Sequence, residues 1–331
     1  MTAPTAPAPD IAAPEDAAIA TIATLGGAPA HRRGPAGRRI VRKVVVLVSA
    51  VLLVGLVWSG YKALGDATGG TWPGTSTELP VPTDDTTLPP FLDIVTRPFE
   101  AQRLNDDTML WQTILGAAAF TFKEALVGFA VGIVVGLAVA LVMLRSQWLE
   151  RGLLPWVIVS QTVPLIALAP VVVAWGQQLS VGGSTWEPWM SVSAIATYLT
   201  FFPVAVSGLR GLQSPTTQSL ELMASCAATW RQELLKLRFP ASLPYLIPAL
   251  KVAAAASVVG AIVGEISSGV AGGLGRLIVS YSQQYLSDPA RLYCAVIGAG
   301  LLGVCFVGMV GLAERVLLRN RPTAIGAQAL R

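Results

Sequence analysis

Residues 125–144 offer only apolar side chains and glycine. Coiled as an α-helix, that stretch is about 30 Å long, the thickness of a bilayer's hydrocarbon core. Residues 40–58, 155–176, 190–209, 245–264 and 292–317 read as further crossings. The 331 residues are 53% hydrophobic and 13% charged, with a mean hydropathy of +0.61, too apolar for an ordinary soluble domain. The expected fold is all-α, a polytopic transmembrane helix bundle with about six spans.

Charge sets the expected topology. The net charge is +4 and the pI near 9.1, yet the basic residues flank apolar segments instead of interleaving with aromatics, so membrane topology and not nucleic acid explains them. Arg32, Arg33, Arg38 and Arg39 precede the first span; Arg315, Arg319 and Arg321 close the last. Both termini are therefore expected in the cytoplasm of a multi-pass plasma (inner) membrane protein. Residues 1–39 read as a disordered Ala/Pro-rich tail and 40–61 as a first anchor helix, retained and not cleaved as an export signal. Residues 62–109 carry Glu78, Asp84, Asp85, Asp93, Asp106 and Asp107 and read as an extracytoplasmic loop; 110–320 form the main transmembrane domain.

Within the spans, small, kinking and charged residues single out places for function. Gly128, Gly132 and Gly136 recur every four residues, so a second helix can approach closely. The crossing at 155–176 contains Pro164 and Pro170, each removing an intrahelical hydrogen bond, just after Gln161 and Thr162. That kinked polar helix is a candidate wall of a translocation pathway, or an ordinary bent structural helix; Pro203 breaks the next span near its middle. Lys123, Glu124 and Lys251 read as lattice or snorkelling residues. Glu265, beside Ser267, Ser268 and Gly269, reads as part of an outer gate or as a solvated helix-end carboxylate.

Residues 211–243 are polar and helical, a cytoplasmic hairpin running into the fifth span. Ser214 and Pro215 read as an N-cap and first helical position, Thr229 with Gln232 as a capping box, and Pro240 and Pro244 as the hairpin's end. The stretch resembles the EAA loop of binding-protein-dependent ABC importer permeases. Glu221 holds the glutamate position and Phe239-Pro240 the Leu-Pro position, while Leu222 and Met223 stand where the family has two alanines and Ala227 where it has glycine. A turn that needs φ > 0 at Ala227 costs about 1 kcal/mol. Residues 155–277 are similar to the nitrate/sulfonate/taurine-type subfamily. Val163-Pro164-Leu165, Phe201-Phe202-Pro203, Leu243-Pro244-Tyr245, Gly260-Ala261-Ile262-Val263 with Glu265, and Gly273-Leu274-Gly275 recur in its order.

The resemblance implies a type I importer-like bundle and a permease subunit for a small solute. Its implied partners are a cytoplasmic ABC ATPase, an extracytoplasmic solute-binding protein and a second permease subunit, in a homodimer surrounded by membrane lipid. Glu221, Leu222, Met223, Ala227, Thr229 and Trp230 would couple to the ATPase; Gln161, Thr162, Pro164, Pro170, Pro203 and Glu265 would belong to the pathway. An enzyme is not expected. No lysine follows a glycine, as a phosphate-binding loop requires, no cluster has metal spacing, and no cofactor is implied. The three cysteines read as small packing residues. The rival readings are an ion-coupled secondary transporter, which wants an ionisable relay or inverted repeats, and a membrane-embedded enzyme or scaffold.

Overall fold

The computed structural model describes residues 36–318 apart from 73, 76, 103–107, 182 and 183; the tail 1–35 with His31, Arg32 and Arg33, Asp106 and Asp107, and Arg319 and Arg321 lie outside the described residues. The first helix, α1, runs Ala36–Thr68, beginning before residue 40 and continuing past 61. It is long and apolar enough to span. From Tyr61 onward the chain forms a second compact unit, described on its own.

In that unit the segment after α1 is more than a loop. A short helix α2 (Phe91–Thr96) and a 3₁₀ turn (Arg97–Phe99) are tied to the rest of the unit by named groups. Lys62 Nζ donates to the Thr83 and Leu88 carbonyls and pairs with Asp85 at 2.7 Å. Arg97 Nε pairs with Asp288 at 2.7 Å, and the Tyr293 hydroxyl donates to the Thr87 carbonyl.

The bundle follows. Helix α3 spans Leu110–Arg145, α4 Gln147–Ser160, α5 Leu165–Gly176 and α6 Pro188–Leu212, with a two-residue antiparallel pair, β1 (Ser180–Val181) and β2 (Ser184–Thr185), before α6. Hairpin helices α7 (Thr217–Ser225) and α8 (Trp230–Glu233) lead through a π-helical segment, Leu234–Arg238, into α9 (Phe239–Ser268). Helices α10 (Leu274–Gln283) and α11 (Pro289–Leu318) complete it. Among the described residues five helices are long and apolar enough to cross a membrane, or six if α4 and α5 together make one span.

The glycine stripe explains the centre of the bundle. Helix α6 lies between α3 and α9, and a Cβ built at Gly132 would stand 2.5 Å from the Thr200 side chain, and one at Gly136 2.7 Å from the Phe201 carbonyl. Only glycine lets these backbones come so near. The Thr197 hydroxyl lies 3.2 Å from the Gly128 carbonyl, across the same contact. Around it Ala125, Val192, Ala254, Val258 and Ala261 are buried together, capped by Phe306, which meets Phe122 and Phe129 edge-on. In a membrane, where lipid is as apolar as leucine, such close packing of small residues is what holds helices together.

The crossing at 155–176 differs from a single kinked helix. It is two helices meeting at 99°, broken between Ser160 and Leu165. Pro164 is extended (φ −66°, ψ 108°) and stands just before α5, where its missing N–H costs no intrahelical bond. The cysteines also differ from expectation: Cys294 is buried, but Cys226 and Cys305 are exposed, so neither serves as core packing in this chain.

Candidate functional site

The hairpin is built by its caps. Thr216, and not Ser214 with Pro215, begins α7: its hydroxyl accepts the Ser219 N–H, while the Ser214 hydroxyl is engaged with the Gly211 and Ala241 carbonyls. At the far end of α7 the Ala228 N–H reaches back to the Met223 carbonyl at 3.0 Å, a closure that needs a left-handed residue before it. That residue is Ala227, with φ 49°, the one non-glycine at positive φ among the described residues. The turn therefore carries the strain that its sequence foretells. Thr229 and Gln232 then form the expected reciprocal capping box, with the Thr229 N–H donating to Gln232 Oε1 at 2.8 Å.

The hairpin's outward face is unsatisfied from within. Glu221 is exposed, and its carboxylate makes no hydrogen bond or ion pair among the described residues. Leu222 is 65% exposed and Trp230 44%, with Met223 half-buried between them. The inner face is fastened. Arg238 pairs with Glu233 at 2.6 Å and donates to the Leu212 carbonyl at 2.9 Å, tying the hairpin to the end of α6.

Pro240 and Pro244 do not end the hairpin. The Phe239 N–H bonds the Leu234 carbonyl in a π turn, after which Pro240 occupies the start of a new α register, where a missing N–H leaves no bond unmade. The chain is helical without interruption from Trp230 to Ser268, about 58 Å at 1.5 Å per residue. One helix thus joins the exposed hairpin to Glu265.

Glu265 is not a solvated helix end. It is fully buried, and both oxygens are occupied: Thr121 Oγ1 donates to Oε1 at 2.7 Å, and the Gly275 N–H donates to Oε2 at 2.6 Å. Thr121 Oγ1 in turn accepts the Leu274 N–H at 2.9 Å. Thr121 and Glu265 together answer the free amides at the start of α10, which no residue of α10 itself can satisfy. Gly273 and Gly275 are what let that backbone reach the carboxylate; a Cβ at Gly273 would collide with it, and one at Gly275 would come 2.5 Å from the Ile262 carbonyl. Glu124, one turn from Thr121 on the buried stripe of α3, is also fully buried and faces the Glu265 carboxyl, although no hydrogen bond of ordinary geometry reaches either of its oxygens among the described residues. Deeper along α10, burial pushes the Tyr281 hydroxyl above the ordinary phenol range against the pull of Arg291.

The other residues expected to line a pathway fall in two places. Gln161, Thr162 and Pro164 sit together at the 99° break, with Thr162 exposed and Gln161 half-buried. The Tyr198 hydroxyl of α6 donates to the Ser160 carbonyl there. Pro170 and Pro203 lie inside α5 and α6. The far end of α5 meets the end of α9 at a cavity of about 440 Å³ walled by Phe120, Gln177, Trp189 and Ser268 among others. Lys123 does not snorkel freely: its ammonium rests 4.1 Å from the centre of the Trp189 ring. Reasoning from sequence missed Thr121, although its place on the same stripe as Glu124 and Gly128 was a usable signal.

Residues 132–318 match the family described as "Binding-protein-dependent transport system inner membrane component". The formylaminopyrimidine transport permease protein ThiX of Halalkalibacterium halodurans is 34% identical over 58% of this chain and 72% of its own length. The riboflavin transport system permease protein RibX of Chloroflexus aurantiacus is 28% identical over 64% and 73%. The putative aliphatic sulfonates transport permease protein SsuC of Bacillus subtilis is 23% identical over 63% and 71%.

Proposed function

The chain belongs to the family of inner membrane components of binding-protein-dependent transport systems, and from that premise we propose how its residues divide the work of import. As a permease of an ABC importer it is a multi-pass inner membrane protein and not an enzyme; ATP is hydrolysed on a separate ATPase subunit, and a binding protein delivers the solute. The ion-coupled alternative is not favoured. Two copies of the chain form the pathway, embedded in lipid, with both termini and the hairpin in the cytoplasm and residues 62–109 outside. The solute is a small organic molecule of the kind named for the relatives, a pyrimidine, a flavin or a sulfonate.

Glu221, Leu222, Met223 and Trp230 dock on the ATPase, while Ala227 and Thr229 hold the two hairpin helices at the angle docking requires. Leu222 and Met223 enter an apolar groove and Glu221 makes a charge-assisted bond. The supporting observation is the unbroken helix from Trp230 to Ser268, which carries a movement of the hairpin to the buried Glu265 network. Gln161, Thr162 and Pro164 expose polar backbone within the membrane, which is tolerated where water or protein meets it, and so line the route with Pro170 and Pro203. Glu265 closes it outside by holding the start of α10. Alternating access follows when the ATPase dimer closes and the hairpins move.

The test is docking. Glu221→Ala should insert and remain monodisperse while ATPase association weakens roughly ten- to a hundredfold, because a charge-assisted bond is lost and nothing inside the chain depends on that carboxylate. Gln218→Ala, exposed on the same helix, is the control and should leave association unchanged. Wild-type association of Glu221→Ala would remove this carboxylate from the coupling surface.

A further inference from the structure

Lys251 lies 17 residues before Ser268, about 26 Å along the helix from the outer end of α9 and so near the opposite edge of the hydrocarbon core. Its ammonium meets Glu314 at 2.5 Å. Glu314 and Arg315 follow the uncharged run 292–313 of α11, so both helices bring their charges to one membrane level. The stem of Lys251 lies over Gly311, where an added Cβ would touch its Cε at 3.6 Å.

Between the two helices is an open groove of about 830 Å³. Its wall is apolar toward the membrane interior, from Val307, Gly308, Gly311 and Leu312, and charged at the rim, from Lys251, Glu314 and Arg315. Glu314 neutralises Lys251, and Arg315 has no ion-pair partner among the described residues, so the rim keeps an unanswered positive charge. An apolar trough opening on a cationic rim at the edge of the bilayer matches one ligand, a lipid with an anionic headgroup. We propose that this groove between α9 and α11 is a binding site for an anionic phospholipid, with the phosphate against Arg315 and Lys251 and an acyl chain along Gly308 and Gly311.

A second copy of the chain or another helix would also cover apolar surface, but neither is selected by a lone positive charge at the headgroup level. Glu314 makes the proposal directional. It competes with the phosphate for Lys251, so its removal strengthens the site, the reverse of what loss of a structural ion pair does.

The experiment is native mass spectrometry of the purified full chain with phosphatidylglycerol and phosphatidylcholine of matched acyl chains. The wild type should retain phosphatidylglycerol over phosphatidylcholine, whose choline offsets its own phosphate; Arg315→Ala should weaken phosphatidylglycerol about fivefold and phosphatidylcholine by less, narrowing the preference between them. Glu314→Gln should bind phosphatidylglycerol more tightly, which no misfolded variant would imitate. Equal retention of the two lipids by the wild type, or a Glu314→Gln variant that binds phosphatidylglycerol no better, overturns the proposal. A change of monomer–dimer balance in Arg315→Ala without a change in lipid retention overturns it too, and makes the groove a protein interface.

Discussion

The two ends of the helix from Trp230 to Ser268 are opposites. At the hairpin end, Glu221, Leu222 and Trp230 are exposed, the Glu221 carboxylate has no hydrogen bond among the described residues, and a strained Ala227 holds the turn. At the other end Glu265 is fully buried and accepts from Thr121 and Gly275. Both ends centre on a glutamate, yet one carboxylate is exposed with no hydrogen bond among the described residues and the other is buried and bonded within the chain. Charge alone therefore does not tell the two glutamates apart; burial and hydrogen bonding do. For the same reason substitutions at the two ends should fail differently, one in assembly and the other in the fold.

The largest effect is expected at the buried end. Glu265→Ala leaves the Gly275 N–H without its acceptor, leaves the Thr121 hydroxyl only the Ala117 carbonyl, and opens a cavity, a loss of about 3 kcal/mol seen as a lowered unfolding temperature in detergent. Glu265→Gln keeps the shape and one acceptor oxygen and should lie between. A stable, fully folded Glu265→Ala would erase the contrast between the two ends.

Midway along the bundle the contrast can be sharpened. Gly132→Val forces a side chain into the buried Thr200 and should cost about 2 kcal/mol, read by the same thermal measurement, while ATPase docking by whatever folds stays intact. At the hairpin the effect is smallest and of opposite sign. Ala227→Gly relieves the left-handed alanine and should stabilise by less than about 1 kcal/mol, because glycine's greater freedom in the unfolded chain offsets part of the gain. Destabilisation there would mean that the turn's φ is not the source of strain.

How much of this was legible follows from range. Local signals were readable: the Thr229–Gln232 box, the positive φ at Ala227, the glycine stripe of α3 and the apolar runs all depend on residues within a few positions. Glu265 was recognisable as a site, but its state was not, because its partner Thr121 lies 144 residues away. The Gly273-Leu274-Gly275 pattern stood in the sequence without its reason, which is the approach of backbone to that carboxylate. Proline misled in both directions. Pro240 and Pro244 looked like an end and lie within a continuous helix: a π turn resets the register just before Pro240, and Pro244 stands inside α9; Pro164 looked like a kink and marks a full break. Lys251 read as a snorkelling lysine because Glu314 is distant in sequence.

The continuity of that long helix is the central claim, and it can be tested by softening the helix where it is exposed. Leu235 and Lys236 lie on the surface of the π segment, so replacing both with glycine removes little packing and adds flexibility costing about 1 kcal/mol per position. The measurement is solute uptake per ATP hydrolysed, in vesicles holding the assembled importer. If the helix carries the movement, the ATPase stays bound and keeps hydrolysing while uptake per ATP falls about tenfold, the loss that goes with roughly 1.4 kcal/mol of coupling. Uptake per ATP at the wild-type ratio would show that the hairpin and the buried Glu265 network do not communicate through this helix.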